Sequence, residues 1–116
     1  MIGRWHGLII DCPDPSGLAA LYEQLLGMQR IQDDESRVVI GDAPGRPGLA
    51  FQLAPDYQPP RWPDHPQQMH LDVRVNDLDA SEQQVQALGA HRLPGGGETF
   101  RVFGDPAGHP FCLVSF

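Results

Sequence analysis

One order of elements occurs twice in this chain: a strand, a capped helix, then three short strands. A repeat of that kind constrains the fold more than any single residue, because each copy must build the same supersecondary unit. The first copy opens with an apolar strand from Gly7 to Cys12 and a helix with Asp14 as N-cap and Pro15 at its first position. Leu18, Leu21, Tyr22, Leu25 and Leu26 follow the spacing of a helix lying on a sheet, and Gly27 stops it. Strands are expected at Gln29 to Asp33, Arg37 to Ile40 and Leu49 to Leu53, set apart by Asp, Gly and Pro.

The second copy has a strand from Met69 to Val75 and a helix entered at Asn76-Asp77 and left at Gly89. Strands follow near His91, at Thr99 to Phe103 and at Phe111 to Phe116. Its helical stripe is thinner, resting on Leu78, Val85 and Leu88. Asp105-Pro106-Ala107-Gly108 reads as a tight turn, since proline presets φ and glycine accepts a positive one. Between the copies lie residues 54–68, with five prolines. Such a segment tends to be extended and suits a semi-rigid strap.

The expectation is therefore a single α+β domain over residues 1–116, with module one at about 1–54, a strap at 55–67 and module two at about 68–116. The 41% hydrophobic content is enough for a core without disulfides. Cys12 and Cys112 are expected as free thiols, because nothing marks the chain as secreted. No apolar run approaches the roughly 20 residues of a membrane span, and a cytoplasmic location is expected. A net charge of -7 argues against nucleic acid, which needs a basic footprint, and favours a small cationic or polar partner. All eight basic residues are arginine, which removes lysine chemistry and points to a GC-rich, bacterial coding sequence.

With CPDPSGLAALYEQLLGM after the first strand, MHLDVRVNDL opening the second copy and DPAGHPFCLV near the end, the chain resembles the vicinal oxygen chelate superfamily. It is most similar to the small glyoxalase-like or bleomycin-resistance-type proteins within it. The resemblance implies tandem βαβββ modules forming a curved, cup-shaped mixed sheet with helices on the outer face. In metal-dependent members, one side chain from the first and one from the last strand of each module hold a divalent ion. Registering Asp14 on Asp77 sets Gly7 opposite His70, and matching FQL with FCL sets Gln52 opposite Cys112.

Of those four positions only His70 carries a conventional ligand. Gly7 supplies no side chain and Gln52 is neutral, whereas hard divalent ions want several oxygen donors. Strand alternation turns His6 toward the helix side. The expectation is no metal and no cofactor; were one bound, it would be zinc-like on His70 and Cys112, with a displaced His6 as a third ligand. His70, Asp72 and Arg74 share one face of their strand, with Asp11 joining from the first module. The candidate ligand-binding residues are Gln52, His70, Asp72, Arg74, Cys112, Asp11 and Trp62, the last as an aromatic on the strap.

Three functional readings follow, the last a structural or regulatory protein whose cavity is vestigial. The first is a metal-free protein that sequesters a small polar or cationic ligand. The alternative is an enzyme, either a lyase, isomerase or dioxygenase with an atypical metal site, or an acid/base catalyst using His70. Cys112 as a nucleophile would need a base beside it. Cys12 is expected in the core, and His65, His91 and His109 at loops or strand edges. Gly95-Gly96-Gly97 lacks the Lys and Ser/Thr of a phosphate loop and reads as a hairpin loop carrying Glu98. A homodimer is expected, since half-cups of this family commonly pair and Trp5 and Trp62 are suited to an interface.

Overall fold

The computed structural model of the chain describes residues 1–61 and 69–116. Trp62 and His65 lie outside the described residues. The chain divides into two compact units, Met1–Tyr57 and Gln58–Phe116, with the division inside the proline-rich segment.

The first unit runs β1 (Leu8–Cys12), α1 (Pro15–Leu26), β2 (Gln29–Asp33), β3 (Arg37–Ala43) and β4 (Arg46–Leu53). Its sheet has the order β1-β4-β3-β2, with β1 parallel to β4 and the other pairs antiparallel. The second unit runs β5 (Leu71–Arg74), α2 (Leu78–Ala87), β6 (His91–Arg92), β7 (Phe100–Gly104) and β8 (Pro110–Val114). Its order, β5-β8-β7-β6, and its pairing are the same. The repeat seen in the sequence is thus a repeat of topology in an α+β fold.

Both helices start as their sequences dictate. Asp14 accepts a hydrogen bond from the Gly17 amide at 3.1 Å, and Asp77 accepts one from the Ala80 amide at 3.1 Å. Each satisfies a donor that the first turn leaves without an intrahelical partner. Gly27 closes α1 at φ 66°, where a Cβ would be strained. The α1 face toward its sheet buries Leu18, Ala19, Leu21 and Tyr22, and the Tyr22 ring stacks on Phe51 at 5.3 Å. Each large side chain taken from water in this way contributes roughly 1.5–3 kcal/mol.

Strand edges differ from the sequence expectation where pairing decides them. β5 starts at Leu71 rather than Met69, because its partner β8 starts at Pro110 and the first matched pair is Leu71 with Phe111. His70 therefore sits just before the strand. β3 and β4 are longer than expected: Ala43 pairs with Arg46, and register shifts at Ile40/Gly41 and Gly41/Ala43 absorb the glycines that read as punctuation. At the far end, Asp105 is fully buried, and its carboxylate accepts from the Ala107 and His109 amides at 2.9 and 3.0 Å. The Gly108 amide donates to the Asp105 carbonyl at 2.8 Å and Gly108 has φ 91°, so the expected turn before β8 is present.

Candidate functional site

In each module the helix covers one face of the sheet, so chemistry is sought on the other. Strand alternation sorts the side chains. In the second module Leu71 and Val73 are half-buried while Asp72 and Arg74 are exposed. Register then carries the Asp72 face across the sheet: Asp72 pairs with Cys112, Arg74 with Val114, and Cys112 with Val102. Val102, Cys112 and Val114 form one buried apolar cluster with Leu93 packed against it.

At the β5 edge of that cluster the polar groups meet. His70 Nε2 lies 3.3 Å from Asp72 Oδ1, an ion pair whenever the imidazole is protonated. Donor atoms of His70, Asp72 and Cys112 all fall within 4.8 Å of one another. Burial pushes the Cys112 thiol up from its ordinary value, and the charge and hydrogen-bond acceptance of Asp72 push it further. The thiol therefore holds its proton, which is the opposite of what a nucleophilic cysteine requires. Arg74 is exposed on the same strand face, one pair further along.

In the first module, Arg37 pairs with Gln52 and Asp11 with Gln52, so three polar residues lie in a row across β3, β4 and β1. The Arg37 guanidinium donates to Gln52 Oε1 at 3.4 Å. Beside this row is a cleft of about 240 Å³, lined among others by Gly7, Ile9, Val39 and Ala50. His6 is also among its lining residues. β1 begins only at Leu8, so the alternation rule does not reach residue 6.

Of the seven ligand-binding candidates, then, the structure brings His70, Asp72 and Cys112 together and sets Asp11 beside Gln52, while Trp62 is outside the described residues. Arg37 was missed by sequence reasoning. Its signal was faint: an arginine opening an otherwise apolar strand looks like an ordinary strand end. Cys12 is fully buried, as expected of a core residue, and both cysteines are free.

A model of the glyoxalase-like domain family matches residues 7–114. No curated protein matches the chain. Among solved structures, the E126Q mutant of the genomically encoded fosfomycin resistance protein from Listeria monocytogenes, complexed with Mn(II) and 1S,2S-dihydroxypropylphosphonic acid, superposes with a TM-score of 0.72 at 15% identity. That match covers 99% of this chain and 91% of the other. A glyoxalase/bleomycin resistance protein/dioxygenase family enzyme from Burkholderia phytofirmans gives 0.72 at 17% identity, covering 95% and 96%. A possible glyoxalase from Bacillus cereus gives 0.67 at 14% identity, covering 98% and 99%. At these identities the likeness is one of fold.

Proposed function

The chain belongs to the glyoxalase-like domain family, and from that premise we propose that it is a metal-free protein that binds a small polar or cationic molecule on the helix-free faces of its sheets. The observation that carries this reading is the His70–Asp72–Cys112 corner. Its thiol is held protonated, so it offers an imidazole, a carboxylate and a neutral S–H, a hydrogen-bonding set suited to orienting a donor-rich or cationic group. Arg74 is the further candidate on the same strand, Gln52 and Asp11 are the candidates of the first module, and Trp62 lies outside the described residues.

The family positions for a hard divalent ion fit poorly. Gly7 has no side chain, and the Gln52 amide oxygen accepts from a guanidinium, which is no neighbour for a cation. A second reading is favoured by one observation, the closeness of the three donors in the second module. Imidazole, carboxylate and thiolate suit a zinc-like ion, which His70, Asp72 and Cys112 would hold once Cys112 gave up its proton. Such an ion would supply Lewis-acid polarisation for a lyase or isomerase reaction. Without it, His70, beside Asp72, is the candidate acid/base group of the corner.

A thermal-shift screen of small amines and polar metabolite-sized compounds tests the first reading. Hits should be lost in His70→Ala and Asp72→Asn while the unliganded melting temperature stays near that of the parent. Metal analysis of protein purified without chelator tests the second. About one equivalent of zinc per chain, lost in His70→Ala, sinks the metal-free reading. No helix among the described residues is long and apolar enough to cross a membrane, and a cytoplasmic location accords with that. A homodimer is part of the proposal, supported by Trp5 at 80% exposure next to exposed Met1 and Ile2. Sedimentation of a single 12.8 kDa species at micromolar concentration would remove it.

A further inference from the structure

Three arginines among the described residues are half-buried: Arg30, Arg37 and Arg101. Two of them have the partners that burial of a cation demands. Arg30 holds Glu23 and Asp33, and Arg101 holds Glu82 and Asp79. Arg37 is different. Among the described residues its guanidinium reaches no carboxylate, and its side-chain partner is the neutral amide oxygen of Gln52.

A carboxylate was available to it. Arg37 and Asp34 exchange backbone hydrogen bonds at 2.9 and 3.2 Å across the β2–β3 turn. Yet the Asp34 carboxylate takes the Gln32 amide at 2.8 Å instead, and Arg37 lines the cleft on the sheet face. Much of the cleft wall is apolar: Val39, Leu49 and Ala50 are at most 7% exposed, and Ile9 stands at the rim at 49%, with His6 and Gln32 as the other polar lining. Gly7 and Gly48 line it without side chains. A Cβ on Gly48 would meet the Met28 methyl at 3.3 Å, so that wall is already in close contact.

A partly desolvated guanidinium that reaches no carboxylate among the described residues, at the edge of a largely apolar cleft, is complementary to one class of ligand. The geometry points to a subsite in the first module that takes the carboxylate of a small acid with an apolar body, the carboxylate on Arg37 and the body against Ile9, Val39 and Ala50. Planar guanidinium and planar carboxylate match in two parallel hydrogen bonds, and exclusion of water strengthens them. The Gln52 amide, already turned to Arg37, holds the fork in place. At about 240 Å³ the cleft suits a single-ring or short-chain acid rather than a drug-sized molecule. The subsite rests on the reading that the helix-free sheet face receives a small molecule, and it adds a charge preference opposite to that of the His70 corner.

The test uses benzoate and its neutral isostere benzamide on the full chain, followed by amide chemical shifts. Benzoate should perturb residues of β1, β3 and β4 around the cleft, and benzamide should bind at least about tenfold more weakly, as expected when a hydrogen bond to a charged group is lost. Arg37→Gln should reduce benzoate affinity by about the same factor, with Arg37→Lys in between because the fork is lost and the charge kept. Ile9→Glu, at an exposed rim position where folding is not at stake, should abolish binding by repulsion. Equal binding of benzoate and benzamide, binding unchanged in Arg37→Gln, or no perturbation by benzoate overturns the subsite. If benzoate fails these tests while other compounds bind in a His70-dependent way, the subsite falls and the ligand-binding function stands.

Discussion

The two modules share a topology but attach their helices by different physics. α1 buries five residues, including Leu18, Leu21 and Tyr22, against β3 and β4. α2 buries Val85 alone. What α2 has instead is a charge network: Arg101 from β7 reaches Asp79 at 2.6 Å and also Glu82, and Arg92 from β6 reaches Glu82 at 3.0 Å. Burial opposes ionisation of Glu82, but the two arginines outweigh it and hold the carboxyl below its usual value. Arg92 also lies over the Phe103 ring at 5.6 Å. One fold can thus carry its helix on an apolar stripe or on ion pairs at its rim, provided the topology fixes where the helix lies.

The largest way to break that comparison is to empty the helix contacts. Leu21→Ala should cost about 2–5 kcal/mol and Tyr22→Ala about 3–5 kcal/mol, since both are fully buried and their sites cannot collapse easily. Val85→Ala should cost less than either, in denaturant melts followed by circular dichroism. If Val85→Ala proved as damaging as Leu21→Ala, the second helix would be held by its apolar contact after all.

This contrast also explains what was legible in the sequence. Topology was legible, because Asp14-Pro15, Gly27 and Asp77 are local signals whose meaning needs no partner. The α1 stripe was legible for the same reason, and the α2 stripe was thin because that helix does not rest mainly on apolar contacts. The network that does hold it joins residues 10 to 22 positions apart, which no window along the chain displays. The same limit applies to the candidate sites. Alternation put His70, Asp72 and Arg74 on one face, and the repeat set Gly7 opposite His70 and Gln52 opposite Cys112. That Asp72 lies opposite Cys112 required the β5–β8 register, and that Arg37 reaches no carboxylate among the described residues required side-chain positions.

A smaller effect separates the two faces of β5. Leu71 is half-buried on the helix side, whereas His70 is exposed just before the strand. Leu71→Ala should destabilise by about 2 kcal/mol, at the low end for a leucine. His70→Ala should stay within about 0.5 kcal/mol of the parent in stability and lose ligand binding. A thermal melt of the pair checks this; equal losses would place His70 in the core and dissolve the corner built on it.

Smaller again is the response of α2 to salt. Arg101→Leu should lower the melting temperature at low ionic strength, and the gap to the parent should narrow as salt is raised, because exposed pairs are screened. Acid should act the same way. Glu82 is held below its usual value of 4.5, so its contribution is present above that pH and is lost as pH falls through the lower folded value. Leu21→Ala should show no such salt dependence. A gap for Arg101→Leu that is indifferent to salt would mean the arginine acts through its stem, as packing.

The smallest expected effect compares equivalent positions on the two open faces. Gln52 has nothing to titrate, whereas Cys112 has a thiol that burial and then Asp72 push up from 9.0. Below that value the thiol is protonated in both folded and unfolded chains and contributes no slope with pH. Above it the unfolded chain releases the proton while the folded one retains it, so stability falls until the folded thiol ionises as well. On a Cys12→Ala background, Cys112→Ala should therefore remove part of the alkaline loss of stability and leave the neutral-to-acid limb unchanged in shape. Asp72→Asn should remove a smaller part, because burial is the larger cause and the carboxylate the lesser. Tyrosine ionisation is common to all three proteins and cancels in the differences. Alkaline limbs that superpose with and without Cys112 would mean the thiol is not held against Asp72, and the neutral hydrogen-bonding corner would lose its S–H.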